Sequence, residues 1–189
     1  MRKHHRLTGV FVFVLVAMSS GVVAAQNPPE GQLTIAFDAS IAPTFLDPAE
    51  TSGIATPFAF LYAMHDALIK PLPGNNMAPC LAESWQESPD GRVVEFKLRE
   101  GLKFHNGDPF TAEDVKFSFH RYRGTSARQL HDRVKAVEIV DPHRVRFVLH
   151  APWPDFLAFY ATPATGAAWI VPRKYIEKVG EDADRKSVV

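Results

Sequence analysis

The spacing of apolar and polar residues predicts a short strand and then a helix between residues 33 and 69. A short strand is expected first, at 33–37, where apolar and small side chains alternate. Residues 56–69 then repeat apolar side chains at helical spacing, with Thr56 as a candidate cap and Pro57 at the first helical position. A turn is expected at 71–76. The apolar stripe of the predicted helix consists of Phe58, Leu61, Tyr62, His65, Leu68 and Ile69.

The middle of the chain predicts a strand followed by a capped helix. Residues 94–98 alternate apolar and charged side chains, as a half-buried strand does, after a turn at 89–91. Thr111 and Asp114 have the spacing of a capping box. The helix that they begin would bury Val115, Phe119 and Tyr122.

The remaining pattern predicts a hairpin, a short helix and a last strand. Apolar residues alternate at 137–139 and again at 145–149, with a turn at 141–144 between them. A short helix is expected from Asp155 to Tyr160, and a short strand at 169–171. These elements together predict a mixed α+β fold.

The first 25 residues have the layout of a secretory signal peptide. A basic start is followed by an unbroken apolar run at 10–18 and then by small residues that end at Ala25, after which cleavage is expected. A single membrane anchor is the alternative, but the run is shorter than the ~20 residues that span a bilayer. No cysteine stands at the cleavage point, which argues against a lipoprotein. The polar residues 26–32 are expected to form a flexible lead-in.

Charge and cysteine content narrow the class of protein. The 189 residues carry 21 basic and 21 acidic side chains. Removing residues 1–25 takes away three basic residues, so the mature chain has 18 basic and 21 acidic residues and a net charge of −3. No basic excess remains to favour nucleic acid as a partner. The single cysteine, Cys80, excludes an internal disulfide and a multi-cysteine zinc site, and we expect it to be buried or a free thiol.

Few residues offer catalytic chemistry. The pairs His65–Asp66 and His131–Asp132 could ligate a metal that activates water, but their surroundings are more typical of surface or core histidines. Cys80 and His105 could form a nucleophile and base, but nothing in the sequence orients them. Phosphate-binding loops and the common hydrolase motifs do not occur. The residues therefore favour a protein that is not an enzyme and that has neither a metal nor a cofactor.

Residues 81–124 read LAESWQESPDGRVVEFKLREGLKFHNGDPFTAEDVKFSFHRYRG. This stretch resembles the extracytoplasmic solute-binding proteins of the peptide/nickel class of ABC importers, solute-binding protein family 5. Asn106 stands where that family commonly has aspartate. The resemblance extends over about residues 33–182, and its further matching parts are 46–48, 65–68, 151–157 and 170–172.

The resemblance implies a two-lobed fold of the type II periplasmic-binding-protein kind, in which hinge closure encloses the ligand. Such a protein would bind a peptide or another small organic solute in the periplasm. It would deliver the solute to an inner-membrane permease with its ATPase subunits, and it would be a monomer when full length. A metal-dependent hydrolase that uses the His-Asp pairs and a non-transporting, chaperone-like interaction protein remain the alternatives.

The resemblance also suggests how the chain is organised. Residues 33–182 would form the N-terminal part, comprising the first lobe and its inserted subdomain, and 183–189 a truncated tail, with the second lobe missing. We expect the isolated mature chain to bind ligand weakly or not at all and to aggregate, because apolar edges would be uncovered.

Ligand contacts are expected from two segments of this part of the protein. The loop after the first strand and the late strand would supply them, but both sets could equally serve only to shape the backbone. Residues 167–169 include no cation, which favours a peptide or another organic solute over a nickel chelate or haem. The candidate residues are Ser40, Pro43, Thr44 and Phe45 in the loop and Gly166 and Trp169 in the late strand.

Overall fold

The computed structural model describes residues 46–50, 55–160 and 165–184. The predicted signal peptide, the lead-in, the strand at 33–37 and the ligand candidates Ser40, Pro43, Thr44 and Phe45 lie outside these residues. Among the helices in the described ranges, none has the length and apolarity needed to cross a membrane.

The first helical segment is shorter than the sequence predicts. A π-helical turn, Pro57–Leu61, leads into α1, Tyr62–Met64, and the backbone of His65 is already extended. The prediction of helix to residue 69 is wrong because the following residues pair as strand: Ala67 bridges to Trp169, and Ile69 begins β1. A short apolar run is ambiguous between helix and strand, and here the tertiary partner decides.

Thr56 and Phe58 in that predicted helix also differ from the prediction. Thr56 has helical backbone angles and makes no capping hydrogen bond through its side chain, so the helix has no Thr56 cap. Pro57 does occupy the start of the helix, as predicted. Phe58 was expected in the buried stripe, but 65% of it is exposed.

A small hairpin follows, formed by β1, Ile69–Leu72, and β2, Asn75–Pro79. The predicted turn at 71–76 is narrower in the structure, with Pro73 and Gly74 between the strands. Gly74 has a φ of +81°, which glycine adopts without steric cost.

The main sheet has four antiparallel strands in the order β3-β4-β6-β5. The predicted strand at 94–98 and the predicted hairpin are confirmed, and the turn at Gly91 has a φ of +65°. Phe96 pairs with Val145, and Val137 with Phe147, so one face of the sheet is apolar. The strands are β3, Ala82–Glu87; β4, Val93–Leu98; β5, Val134–Asp141; and β6, Arg144–Leu149.

Two of the remaining helices, α2 and α3, lie between β4 and β5 in the chain, and three follow β6. The predicted capping pair of α2 is confirmed, because the carboxylate of Asp114 accepts hydrogen bonds from the amide of Thr111 at 2.9 Å and from its hydroxyl at 3.0 Å. The predicted helix to Tyr160 is confirmed as α4. These helices are α2, Ala112–Arg121; α3, Ala127–Arg133; α4, Phe156–Tyr160; α5, Arg173–Val179; and α6, Glu181–Asp184.

An aromatic cluster forms the centre of the core. The ring of Phe147 in β6 lies 5.7 Å from Phe96, 5.6 Å from Phe119 in α2 and 5.2 Å from Tyr160 in α4. The rings of Phe156 and Tyr160 stack 5.5 Å apart. Buried aromatic pairs stabilise a fold by more than the burial of their apolar area alone. This cluster therefore fixes α2 and α4 on the sheet.

The predicted strand at 169–171 does not form. Trp169 makes a single bridge to Ala67, and the amide of Val171 donates instead to the hydroxyl of Ser118 at 3.0 Å. Pro172 then precedes α5. The segment is thus held by bonds to α2 and to residue 67 rather than by a strand ladder.

Candidate functional site

Three segments meet around the two described ligand candidates, Gly166 and Trp169. The ring nitrogen Nε2 of His65 lies 3.3 Å from the carbonyl oxygen of Leu46. The amide of Ile170 donates to the carbonyl of Asp66 at 3.1 Å. We call these segments, residues 46–50, 65–70 and 165–170, the junction. Leu46 directly follows Phe45, so the junction includes the point where the candidate loop joins the described residues.

Trp169 is buried at the junction. Only 3% of it is exposed, and its ring packs edge-on against Tyr62 at a centroid distance of 6.2 Å. Its indole Nε1 is buried and has no hydrogen-bond partner among the described residues. A buried donor without an acceptor is costly, and a carbonyl or carboxylate of a bound molecule is the kind of group that would satisfy it.

A cation lies against Trp169, although residues 167–169 themselves carry none. Nζ of Lys70 is 4.5 Å from the centroid of the Tyr62 ring and 5.4 Å from that of Trp169. The same nitrogen donates to the carbonyl of His65 at 3.1 Å and to Oδ1 of Asp66 at 3.0 Å. The positive charge of Lys70 is therefore paired with the carboxylate of Asp66, and the same ammonium group holds the rings of Tyr62 and Trp169 in place.

Gly166 has a clear packing role. A Cβ at this position would lie 2.1 Å from the carbonyl oxygen of Pro48, far inside van der Waals contact. Glycine therefore lets the backbones of residues 166 and 48 approach each other. This contact holds segment 46–50 against the stretch that includes Trp169.

The first His-Asp pair is engaged in structural contacts. His65 lies after the helix rather than on it, and burial lowers the pKa of its imidazole. Asp66 pairs with Lys70. Among the residues described, no group of three or more side chains could hold a metal ion.

The second His-Asp pair and Cys80 are also arranged structurally. Nε2 of His131 lies 2.9 Å from the carbonyl of Tyr122, and its ring packs edge-on against Phe119 at 5.0 Å. Cys80 is a half-buried free cysteine, and burial, followed by the nearby Asp66, raises the pKa of its thiol. A raised thiol pKa disfavours the thiolate that a nucleophile requires.

Sequence reasoning missed an ion-pair network that holds segment 46–50 of the junction. Arg121, at the end of α2, donates to Asp47 with both terminal nitrogens. Arg123 pairs with Glu50 at 2.9 Å and also with Glu181. Asp47 and Arg121 are 74 residues apart, so no local spacing could reveal the contact.

A concave surface lies away from the junction, where the start of α2, the β5–β6 turn and the start of α5 meet. It is a cavity of about 360 Å³ with charges of both signs, including Glu113, Asp141 and Lys174. Asp114 lines it too, but its carboxylate already accepts from Thr111 and, at 3.0 Å, from the amide of Arg173. Neither Gly166 nor Trp169 lines this cavity.

The fold class and the family follow from comparison with known proteins. Residues 76–187 match the family described as bacterial extracellular solute-binding proteins, family 5 Middle. The chain belongs to this family, and its fold is part of a type II periplasmic-binding-protein fold.

Among its relatives, the chain is 35% identical over 175 residues to di/tripeptide-binding protein 2 of Pseudomonas aeruginosa, covering 81% of this chain and 32% of the relative. It is 30% identical over 158 residues to the nickel-binding periplasmic protein of Escherichia coli, covering 80% of this chain and 29% of that protein. The chain thus spans about a third of the length of these relatives.

A solved structure agrees on the fold. The binding protein MoaA of A. tumefaciens R10, in complex with mannopinic acid, superposes with a TM-score of 0.64 at 30% identity. The match covers 76% of this chain and 30% of MoaA. Relatives with the same architecture therefore bind different small solutes.

Proposed function

We propose that the protein is the substrate-binding component of an ABC importer that captures peptides, or a similar small organic solute, for transport across the inner membrane. The observation that carries the choice of peptide is the 35% identity over 175 residues to a di/tripeptide-binding protein. The nickel-binding relative is less similar, at 30%.

The mode of action is binding without covalent chemistry. Two lobes close around the solute, and the closed form is what the permease with its ATPase subunits recognises. In this part of the protein the contacts would come from Ser40, Pro43, Thr44 and Phe45, from the backbone at Gly166 and from Trp169. The unpartnered indole nitrogen of Trp169 supports its place in this set, because a peptide carbonyl or carboxylate would accept its hydrogen bond.

The same proposal includes secretion. The basic, apolar and small-residue succession at 1–25 supports export through the inner membrane with cleavage near Ala25. A family described as extracellular and a relative named as periplasmic support that location. The full-length protein would act there as a monomer.

Titration calorimetry on the product of the complete reading frame that contains residues 1–189 tests the proposal. Alanyl-alanine should bind, and a nickel–histidine complex should not. The chain 26–189 alone is the comparison, and it should bind weakly or not at all because a two-lobed site needs both lobes. Micromolar binding by monodisperse 26–189 would overturn that last expectation.

A matched pair of tryptophan variants tests the site. Trp169→Phe removes the unpartnered N–H and should weaken alanyl-alanine binding by about tenfold, the scale of one lost hydrogen bond. Trp85→Phe, at a half-buried position in β3, should leave binding unchanged. Equal effects of the two variants would remove Trp169 from the proposed site.

A further inference from the structure

Asn106 and Gly107 form an exposed turn between β4 and α2. Two backbone bonds close the turn: the amide of Gly107 donates to the carbonyl of Phe104, and the amide of Phe104 donates to the carbonyl of Asp108, both at 2.9 Å. Gly107 has a φ of +87°, and a Cβ built on it would meet nothing within 4 Å. The backbone between Asn106 and Gly107 is therefore open to solvent.

The side-chain amide of Asn106 is held by Asp108 at both of its polar atoms. The backbone amide of Asp108 donates to Oδ1 of Asn106 at 3.0 Å, and Nδ2 of Asn106 donates to Oδ2 of Asp108 at 2.8 Å. These two bonds set the orientation of the amide, because a backbone N–H only donates and a carboxylate only accepts. The carbon Cγ of Asn106 thus lies between a donor on its oxygen and a carboxylate on its nitrogen.

This arrangement fits the reaction by which asparagine loses ammonia. The backbone nitrogen of Gly107 releases its proton and attacks Cγ of Asn106, and the negative charge that develops on Oδ1 is stabilised by the amide of Asp108. The carboxylate of Asp108, 2.8 Å from Nδ2, delivers a proton there as the bond from Cγ to Nδ2 breaks. Ammonia leaves and a succinimide ring remains. Water then opens the ring at either carbonyl, which leaves aspartate or isoaspartate.

We propose that Asn106 is a site of non-enzymatic deamidation and that Asp108 promotes the reaction in the folded turn. Gly107 contributes because it has no side chain that would hinder its nitrogen. The hydrogen bond from Gly107 to Phe104 opposes the attack, but it is a single backbone bond in an exposed turn, and such bonds open by local fluctuation. The modification does not depend on which solute the protein binds.

Asn75 carries only part of the same arrangement. It is also exposed, and its Oδ1 accepts from the amide of Met77 at 3.0 Å. The residue that follows is Asn76 rather than glycine, and methionine rather than aspartate stands two positions on. Asn75 is therefore an internal control within the same molecule.

Deamidation would change the charge of the turn. A carboxylate would replace the amide that now donates to Asp108, so two like charges would face each other without a proton between them. The isoaspartate product would also lengthen the backbone by one methylene group. The modified protein is more acidic and can be separated from the unmodified protein by ion exchange.

Peptide mass spectrometry follows the reaction in the product of the complete reading frame that contains residues 1–189. The folded protein is incubated at mildly alkaline pH in water enriched in a heavy oxygen isotope. Asn106 should take up one labelled oxygen, as both aspartate and isoaspartate, about tenfold faster than Asn75, because of Gly107 and the carboxylate of Asp108. A rate no higher than that of Asn75, or aspartate without isoaspartate, overturns the proposal.

Asp108→Asn separates the effect of the folded turn from that of the dipeptide. The variant keeps an acceptor for Nδ2 of Asn106 but lacks the carboxylate, and the new side chain cannot form the ring because Pro109 has no N–H. In the folded protein the rate at Asn106 should fall about tenfold, less than a positioned acid–base group contributes in an enzyme. In denaturant, where Asp108 is not held beside Asn106, the variant and the unmodified protein should react alike.

Asp155→Asn is the matched control, because it removes an equal charge from an exposed position elsewhere and should leave the rate at Asn106 unchanged. Circular dichroism verifies that both variants are folded. An unchanged rate in folded Asp108→Asn, or an equal decrease in denaturant, overturns the role of Asp108. An equal decrease in Asp155→Asn does so as well, since the effect would then be one of net charge.

Discussion

Gly166 and Pro48 touch backbone to backbone, so closely that a Cβ on residue 166 would lie 2.1 Å from the carbonyl oxygen of Pro48. Residue 48 is two positions from Leu46, the first described residue after the candidate ligand loop. The contact therefore brings the attachment of that loop next to the segment of Trp169. It also gives glycine at 166 a steric reason that is independent of any ligand.

Replacing Gly166 by alanine should destabilise the protein by ~2 kcal/mol or more, because the new methyl group meets backbone and the two segments must separate. Chemical denaturation monitored by circular dichroism measures the loss. The matched control is Gly74→Ala, where nothing lies within 4 Å but φ is +81°. That variant should cost only ~1 kcal/mol, from backbone strain alone. If Gly166→Ala were as stable as the unmodified protein, the close contact would be wrong.

Lys70 should matter far more than an exposed lysine in a similar ion pair. Its side chain is 11% exposed, and its Nζ serves the carbonyl of His65, the carboxylate of Asp66 and two aromatic rings. Lys70→Met should reduce the free energy of unfolding by ~2 kcal/mol, the usual loss for hydrogen bonds to a buried charged group.

Lys97→Met is the matched control for that measurement. Lys97 pairs with Glu83 at 2.9 Å, but both side chains are about half exposed, at 53% and 51%. Exposed pairs contribute at most ~1 kcal/mol, so this variant should unfold almost like the original protein. Equal losses for the two lysines would show that the aromatic contacts of Lys70 add nothing.

The capping pair of α2 supports a third prediction about stability. Thr111→Ala should cost ~1 kcal/mol, as the loss of a cap usually does. Asp114→Ala should cost more, ~2 kcal/mol, because it leaves both the amide of Thr111 and the amide of Arg173 without their acceptor. Thermal unfolding compares the variants, and the exposed neighbour Glu113→Ala should change little. A larger loss for Thr111→Ala than for Asp114→Ala would contradict this account.

Local patterns correctly predicted the elements that depend mainly on residues close together in the sequence. The alternation at 94–98, the hairpin after Val137 and the capping pair Thr111–Asp114 are all found where they were expected. The failures, helix at 67–69 and strand at 170–171, concern residues that take partners far along the chain. Ala67 bridges to Trp169, and Val171 donates to Ser118, so tertiary contacts decide their conformation.

The site was predictable only to the extent that the family resemblance supplied it. Trp169 was named from that resemblance, but its neighbours Tyr62 and Lys70 lie about 100 positions earlier in the chain, and no local pattern links them to it. The Asp47–Arg121 pair spans 74 residues and was missed for the same reason. Gly166 was expected at the ligand, whereas its contact with Pro48 is visible only in three dimensions.

His65 should make the protein less stable as the pH falls through the ordinary imidazole pKa. Burial is the main cause that lowers the pKa of His65 below 6.5. The unfolded chain therefore takes up a proton near pH 6.5 that the folded chain refuses until its own lower pKa is reached. His65 therefore costs no stability above pH 6.5, and the free energy of unfolding declines as the pH falls from 6.5 to the lower pKa of the folded state. His120, whose pKa is lowered by burial and then by Lys116, acts in the same direction.

The free energy of unfolding is measured by denaturation at several pH values between 7.5 and about 5, and the comparison of the unmodified protein with a His65 variant isolates the effect of His65. His65→Gln keeps a side-chain N–H that can donate to the carbonyl of Leu46, but it cannot be protonated, so the decline with falling pH should become shallower. A slope unchanged by His65→Gln would mean that His65 is as free to take up a proton in the folded protein as in the unfolded chain. Asp90 and Asp141 have pKa values lowered from 3.8 by their hydrogen bonds, so these carboxylates contribute only at more acidic pH.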